Sequence, residues 1–154
     1  MSGRWLCASA VGALALVLAH LQPAVAESTP MVATTDKLAV VTATAAPSIA
    51  PRPADQSPRL IVKVTGYQPP PNGAVQAVVK VQGDGTGPDR VIGRFGVFPT
   101  TGFTSADPSR AQTYGLPLPK DLANRNAVKL SVQLEPIRGS GEGASLEVGS
   151  AEIQ

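Results

Sequence analysis

The sequence predicts an all-β fold, an antiparallel β-sandwich of six to seven short strands. Apolar and polar residues alternate with period two in several short runs, the pattern of strands with one buried face. Clusters of Gly, Pro, Asn and Asp separate those runs, as tight turns require. The patterned part of the chain, residues 59–154, has the usual size of one sandwich domain.

The chain opens on one positive charge, Arg4, then an apolar run over residues 5–19, then Leu21-Gln22-Pro23-Ala24-Val25-Ala26 with its small-x-small ending. Residues 1–26 therefore read as a cleavable signal peptide, cut after Ala26. The apolar run falls short of the roughly 20 residues of a membrane span, and His20 and Pro23 interrupt it. No stable span is expected after cleavage. Cys7 precedes most of the apolar run, the wrong side for a lipid attachment point. Cleavage removes the only Cys, the only His (His20), the only Trp (Trp5) and one of the two Met. The mature protein is thus expected to be periplasmic or secreted, with no disulfide, and to hold its fold by its apolar core alone.

Residues 27–58 are built of Ala, Thr, Ser and Pro, with prolines at 30, 47, 51, 53 and 58. Such a composition offers little surface to bury against the entropy of ordering. The segment reads as a disordered, partly polyproline-like linker whose removal leaves stability nearly unchanged. Its one exception is Leu38-Ala39-Val40-Val41-Thr42, short and β-prone, a candidate extra edge strand.

The first element of the domain is Leu60-Ile61-Val62-Lys63-Val64-Thr65, with Leu60, Val62 and Val64 on one face. Three prolines and Asn72-Gly73 follow as an extended segment and a turn. In residues 74–81, Val75, Ala77, Val79 and Val81 share a face. A third strand runs over residues 90–98, where Gly93 and Gly96 mark bulges or close backbone approach. The segment Thr113-Tyr114-Gly115-Leu116-Pro117-Leu118 reads as an edge strand, because Pro117 cannot donate to a ladder, and residues 119–124 as a short helical turn. Residues 128–135 alternate without a fault, with Leu130, Val132 and Leu134 facing the core and Gln133 facing water. In the last strand Leu146 and Val148 are one register out from Ala151 and Ile153, which a bulge at Gly149-Ser150 accommodates.

Charge and motifs exclude more than they assign. Without Arg4, twelve basic residues face eleven acidic ones, scattered singly rather than gathered into the basic patch of a nucleic-acid binder, so no nucleic acid is expected as partner. Gly83-Asp84-Gly85-Thr86-Gly87-Pro88-Asp89 lacks the third carboxylate and the distal glutamate of a calcium loop. Neither a helix pattern nor a lysine follows to make it a phosphate cradle. Serines and threonines have no imidazole to activate them, and Glu135, Glu147 and Glu152 alternate away from the apolar face as solvated surface. No catalytic residue, metal ligand or cofactor is expected, and the chain does not read as an enzyme. The candidate partner contacts are the aromatics at strand ends and in loops, Tyr67, Phe98, Phe103 and Tyr114, whose alternative role is to plug the ends of the fold.

The order of segments from Leu60-Ile61-Val62-Lys63-Val64-Thr65-Gly66 through Ala77-Val78-Val79-Lys80-Val81 to Ile92-Gly93-Arg94-Phe95-Gly96-Val97-Phe98-Pro99 resembles the C-terminal β-sandwich domain of polyphenol oxidases and tyrosinases. The likeness continues in Val128-Lys129-Leu130-Ser131-Val132-Gln133-Leu134-Glu135-Pro136 and Leu146-Glu147-Val148-Gly149-Ser150-Ala151-Glu152-Ile153. The Lys-Phe-Asp-Val motif of the plant members is absent, since residues 77–81 stand where it would fall. In that family the domain lies over the entrance to a dicopper site held by a separate helical domain. The resemblance therefore implies an accessory that covers or assists another exported protein, a copper oxidase. Read from the residues alone, two classes stand: a non-catalytic exported interaction module, or a structural or adhesive envelope β-sandwich that serves as an assembly or carbohydrate-contacting subunit.

Overall fold

A computed structural model describes residues 31–46, 57–83, 88–97 and 101–154. The signal reading of residues 1–26 lies outside the described residues, as do 27–30 and 47–56 of the segment read as a linker. The strands are β1 (Met31–Ala33), β2 (Ala39–Ala45), β3 (Arg59–Gln68), β4 (Ala74–Val81), β5 (Arg90–Phe95), β6 (Gln112–Pro117), β7 (Ala127–Arg138) and β8 (Ser145–Ile153). A 3-10 turn at Pro108–Arg110 and one helical turn, α1 (Lys120–Ala123), complete the regular structure. All eight strands belong to one sheet ordered β5-β4-β7-β2-β8-β3-β6, with β1 paired to β8.

The alternation in the sequence places the core. Val128, Leu130, Val132 and Leu134 of β7 are buried, together with Leu60, Val62 and Val64 of β3 and Val75, Ala77, Val79 and Val81 of β4. In β8 the register against β3 jumps from Lys63–Ser150 to Val64–Val148. Gly149 is the extra residue, and the bulge brings Leu146, Val148, Ala151 and Ile153 onto the same buried face. The bulge also demands a glycine, because a Cβ at position 149 would lie 2.5 Å from Thr65 Cγ2.

Two expectations need correction, and they share a cause. Residues 31–46 do not behave as a linker: β2 lies inside the sheet, antiparallel to β7 from Ala39–Val132 to Thr44–Ala127 and parallel to β8 at Thr44–Glu152 and Ala45–Ile153. Ala33 and Ala43 are wholly buried and Ala39 nearly so. The turn between β1 and β2 is tied by Thr34, whose Oγ1 accepts from the backbone N–H groups of Asp36 and Lys37 at 3.2 and 3.0 Å. It is also fastened to β7, since Leu134 N–H donates to Thr34 O and Gln133 Nε2 donates to Thr35 O. Without β2 the remaining order divides into β5-β4-β7 and β8-β3-β6. With β2 inserted they become one mixed sheet.

That sheet curls nearly into a barrel. Among the described residues its outer strands β5 and β6 share no backbone ladder, yet they meet through side chains. Phe95 and Tyr114 stack with ring centroids 4.0 Å apart and planes 18° from parallel. Beside them Gly93 leaves room for Leu116, whose Cδ2 would lie 2.8 Å from a Cβ at position 93. Among the described residues the two outer strands thus meet by side-chain packing.

Candidate functional site

Of the four aromatics expected to touch a partner, the fold brings Tyr67 and Phe103 together and sets Tyr114 in the seam between β5 and β6. Tyr67, at the end of β3, forms a two-way backbone bridge with Phe103, with both N–H···O distances 2.8 Å. Their rings lie 6.5 Å apart at 50°. Arg110 lies over the Phe103 ring with its guanidinium carbon 5.5 Å from the centroid, a cation–π arrangement. It holds that pose by donating to Gly102 O and Thr101 Oγ1, both at 3.0 Å. Tyr67 and Phe103 are 6 % and 5 % exposed, so as the chain stands they plug one end of the fold. Tyr114 belongs to the β5–β6 seam instead, half-buried, and its hydroxyl donates to Gln112 Oε1. Phe98 lies outside the described residues.

The Tyr67 end carries a concave apolar surface. A cleft of about 300 Å³ is lined by Tyr67, Pro69, Pro70, Val75, Val97 and Ile137 among others, with no charged side chain among the described residues. The chain builds it from two local irregularities. Pro69 and Pro70 hold the start of the β3–β4 connection extended, and Gly73 then turns it at φ +105°, where a Cβ would lie 2.0 Å from Arg138 O. In β7 the register against β4 jumps from Val75–Pro136 to Ala74–Arg138, leaving Ile137 as the extra residue. A bulge re-aims its side chain, and Ile137 stands 63 % exposed on the cleft.

Sequence reasoning did not single out Pro69, Pro70, Val97 or Ile137 as contacts. The available signal was at Ile137, a large apolar residue one step out of phase with Val128, Leu130, Val132 and Leu134 and placed between Pro136 and Arg138.

What the cleft can do is bind apolar surface. Its floor and walls offer hydrocarbon and one phenol, suited to an aliphatic or aromatic side chain and unsuited to a charged one. Among the described residues, no three His, Cys, Asp or Glu side chains come together in a way that could hold a metal ion. Burial desolvates the Tyr67 hydroxyl and raises its pKa above the ordinary 10.0. The unfolded chain therefore ionises first. The stability tied to the neutral phenol is intact below about pH 10 and is lost as pH rises through the raised value. Unfolding midpoints measured at neutral and strongly alkaline pH should show a smaller alkaline loss in Tyr67→Phe than in the unaltered protein. An equal loss in both would mean that Tyr67 is open to solvent.

No protein-family model matches the chain, and no curated protein matches it.

Proposed function

We propose that the protein is an exported, non-catalytic interaction module, periplasmic or secreted, that takes an apolar side chain of another exported protein into the Tyr67–Ile137 cleft. The observation that carries this reading is Ile137, a large branched residue turned outward by a bulge onto an apolar concavity. An isolated exposed apolar residue is ordinary. One that rims a preformed apolar cleft has the make-up of an interface anchor, where a few buried apolar contacts supply most of the binding energy. The resemblance to the tyrosinase C-terminal domain supports a copper oxidase as the partner, with the copper ligands supplied by that partner. Phe103 is no candidate for insertion into it, being held beneath Arg110.

The test is site-specific photocrosslinking in exporting cells, with the reactive side chain at position 137 and, as the control, at Val91, exposed on β5. A discrete adduct at 137 and none at 91 is the expected result. With the captured protein purified, Ile137→Asp should weaken binding at least about tenfold, within the range of an interface anchor. Its unfolding midpoint should move little, since the residue is already exposed. Equal crosslinking at the two positions, or unchanged affinity in Ile137→Asp, would remove the cleft from the contact surface.

A further inference from the structure

The Tyr67–Ile137 cleft lies where β5 leaves β4. Their antiparallel ladder runs from Val81–Arg90 to Ala77–Phe95 and stops there, while β4 itself begins earlier, at Ala74. Gly96 and Val97, which in step would stand opposite Gln76 and Val75, leave the ladder and line the cleft together with Ala74 and Val75. Among the described residues, one side of β4 is therefore open over residues 74–76. The other side stays paired to β7.

Which backbone groups face the opening follows from the β4–β7 register. Successive residues of an antiparallel strand turn their N–H and C=O alternately to one neighbour and to the other. Gln82 N–H donates to Lys129 O at 2.9 Å, and the pairing keeps its step without a break from there to Val75–Pro136. Lys80, Val78 and Gln76 thus spend their groups on β7, and Val79, Ala77 and Val75 turn theirs the other way. Pro136 agrees with this parity, since it has no N–H to exchange with Val75. β5 meets Val79 and Ala77, but among the described residues no backbone group meets Val75 on that side. A donor and an acceptor are left together at the mouth of an apolar cleft, the arrangement that strand addition uses.

The two features select one kind of ligand. In an antiparallel pair, the residue opposite Val75 exchanges both hydrogen bonds with it and places its side chain on the same face. That face is the inner one, where the Val75 side chain is buried. One residue can therefore complete the ladder and fill the cleft. It has to be apolar, because the described lining carries no charged side chain, and it has to keep its N–H, which excludes proline. Its two neighbours point to the outer face, beside exposed Ala74 and half-buried Gln76, where polar side chains fit.

We infer that the partner binds as a short antiparallel strand of polar–apolar–polar pattern, whose central residue pairs with Val75 and fills the cleft. The inference rests on the reading of the cleft as a partner site and adds a backbone contact to it. The probes are the peptide acetyl-Ser-Thr-Leu-Thr-Ser-amide and the same peptide N-methylated at its leucine. Each is titrated at millimolar concentration into the isotope-labelled protein and into Ile137→Asp, with amide shifts and hydrogen exchange read by NMR. Near saturation the unmethylated peptide should slow exchange of the Val75 amide at least about tenfold and leave the Ala77 amide, already facing β5, unchanged. Binding should weaken at least about fivefold on N-methylation, the loss of one hydrogen bond, and by a similar factor in Ile137→Asp. Equal affinity for the two peptides, with Val75 unprotected and Ile137→Asp still weakened, overturns the strand pairing and leaves the cleft as a side-chain pocket. Protection of Val75 that is lost on N-methylation but indifferent to Ile137→Asp sustains the pairing and overturns the cleft reading. A peptide that shifts neither the Val75 nor the Val97 amide overturns the inference outright.

Discussion

A chain that lacks residues 31–46 is expected to lose its cooperative unfolding transition. The deletion takes the central strand from between β7 and β8 and parts the sheet into β5-β4-β7 and β8-β3-β6. Six paired positions along β7 lose their partners, at about 1 kcal/mol for each net hydrogen bond and more for any group left buried and unpaired. Removing Ala33, Ala39 and Ala43 also opens the interior beside Leu146, Val132 and Val128, the residues they pair with. Together these approach the whole stability of a small domain, about 5–15 kcal/mol. A point substitution makes the same case without shortening the chain, because Ala43→Asp places a carboxylate at a wholly buried site. Thermal unfolding followed by circular dichroism decides the matter. A midpoint lowered by less than about 5 °C, roughly 1 kcal/mol for a domain of this size, would return the segment to the status of a tether.

The second large effect is expected at Val132, which is 1 % exposed between Ala39 of β2 and Val79 of β4. Val132→Asp strands a carboxylate in hydrocarbon, so the group is held neutral at a raised pKa or the domain opens. Folding should be lost. Lys129→Asp, on the outward face of the same strand, should stay within about 0.5 kcal/mol, the usual range for a surface change. Gln133→Asp falls between them. Its side chain is the donor to Thr35 O at 3.1 Å, and losing that bond should cost about 1 kcal/mol. Urea midpoints in the order Lys129→Asp, Gln133→Asp, Val132→Asp, from most to least stable, are the expected result. Similar midpoints for Lys129→Asp and Val132→Asp would show that β7 is not buried on one face.

The strands legible in the sequence were those whose interior face is written in Leu and Val. In β3, β4, β7 and β8, period-two alternation stands out because the inward residues are large and the outward ones polar. β2 follows the same period, but its inward positions are Ala39, Val41 and Ala43, set opposite Val132, Leu130 and Val128. Where leucines and isoleucine from neighbouring strands fill the interior, a small side chain is what the remaining space accepts. A strand with more alanine and threonine than large apolar residues has the composition of a linker. Missing it also turned one curled sheet into two. Ile137 was hidden for a different reason: a bulge is a property of two strands in register, and neither β4 nor β7 announces it alone. Tyr67 and Phe103 looked like free loop aromatics because their bridge joins residues 36 positions apart.

The seam between β5 and β6 bears on how copies of this protein treat one another. A sheet with free edges invites a second molecule to add its own strand, and repetition of that step builds fibres. Here the two edges face each other across the Phe95–Tyr114 stack, and β6 carries Pro117, which has no N–H to offer an incoming chain. Each edge is screened by the other for as long as the stack holds. Heat, or any change that parts the two rings, uncovers both edges at once, and strand exchange between molecules then becomes the competing fate of an otherwise folded protein.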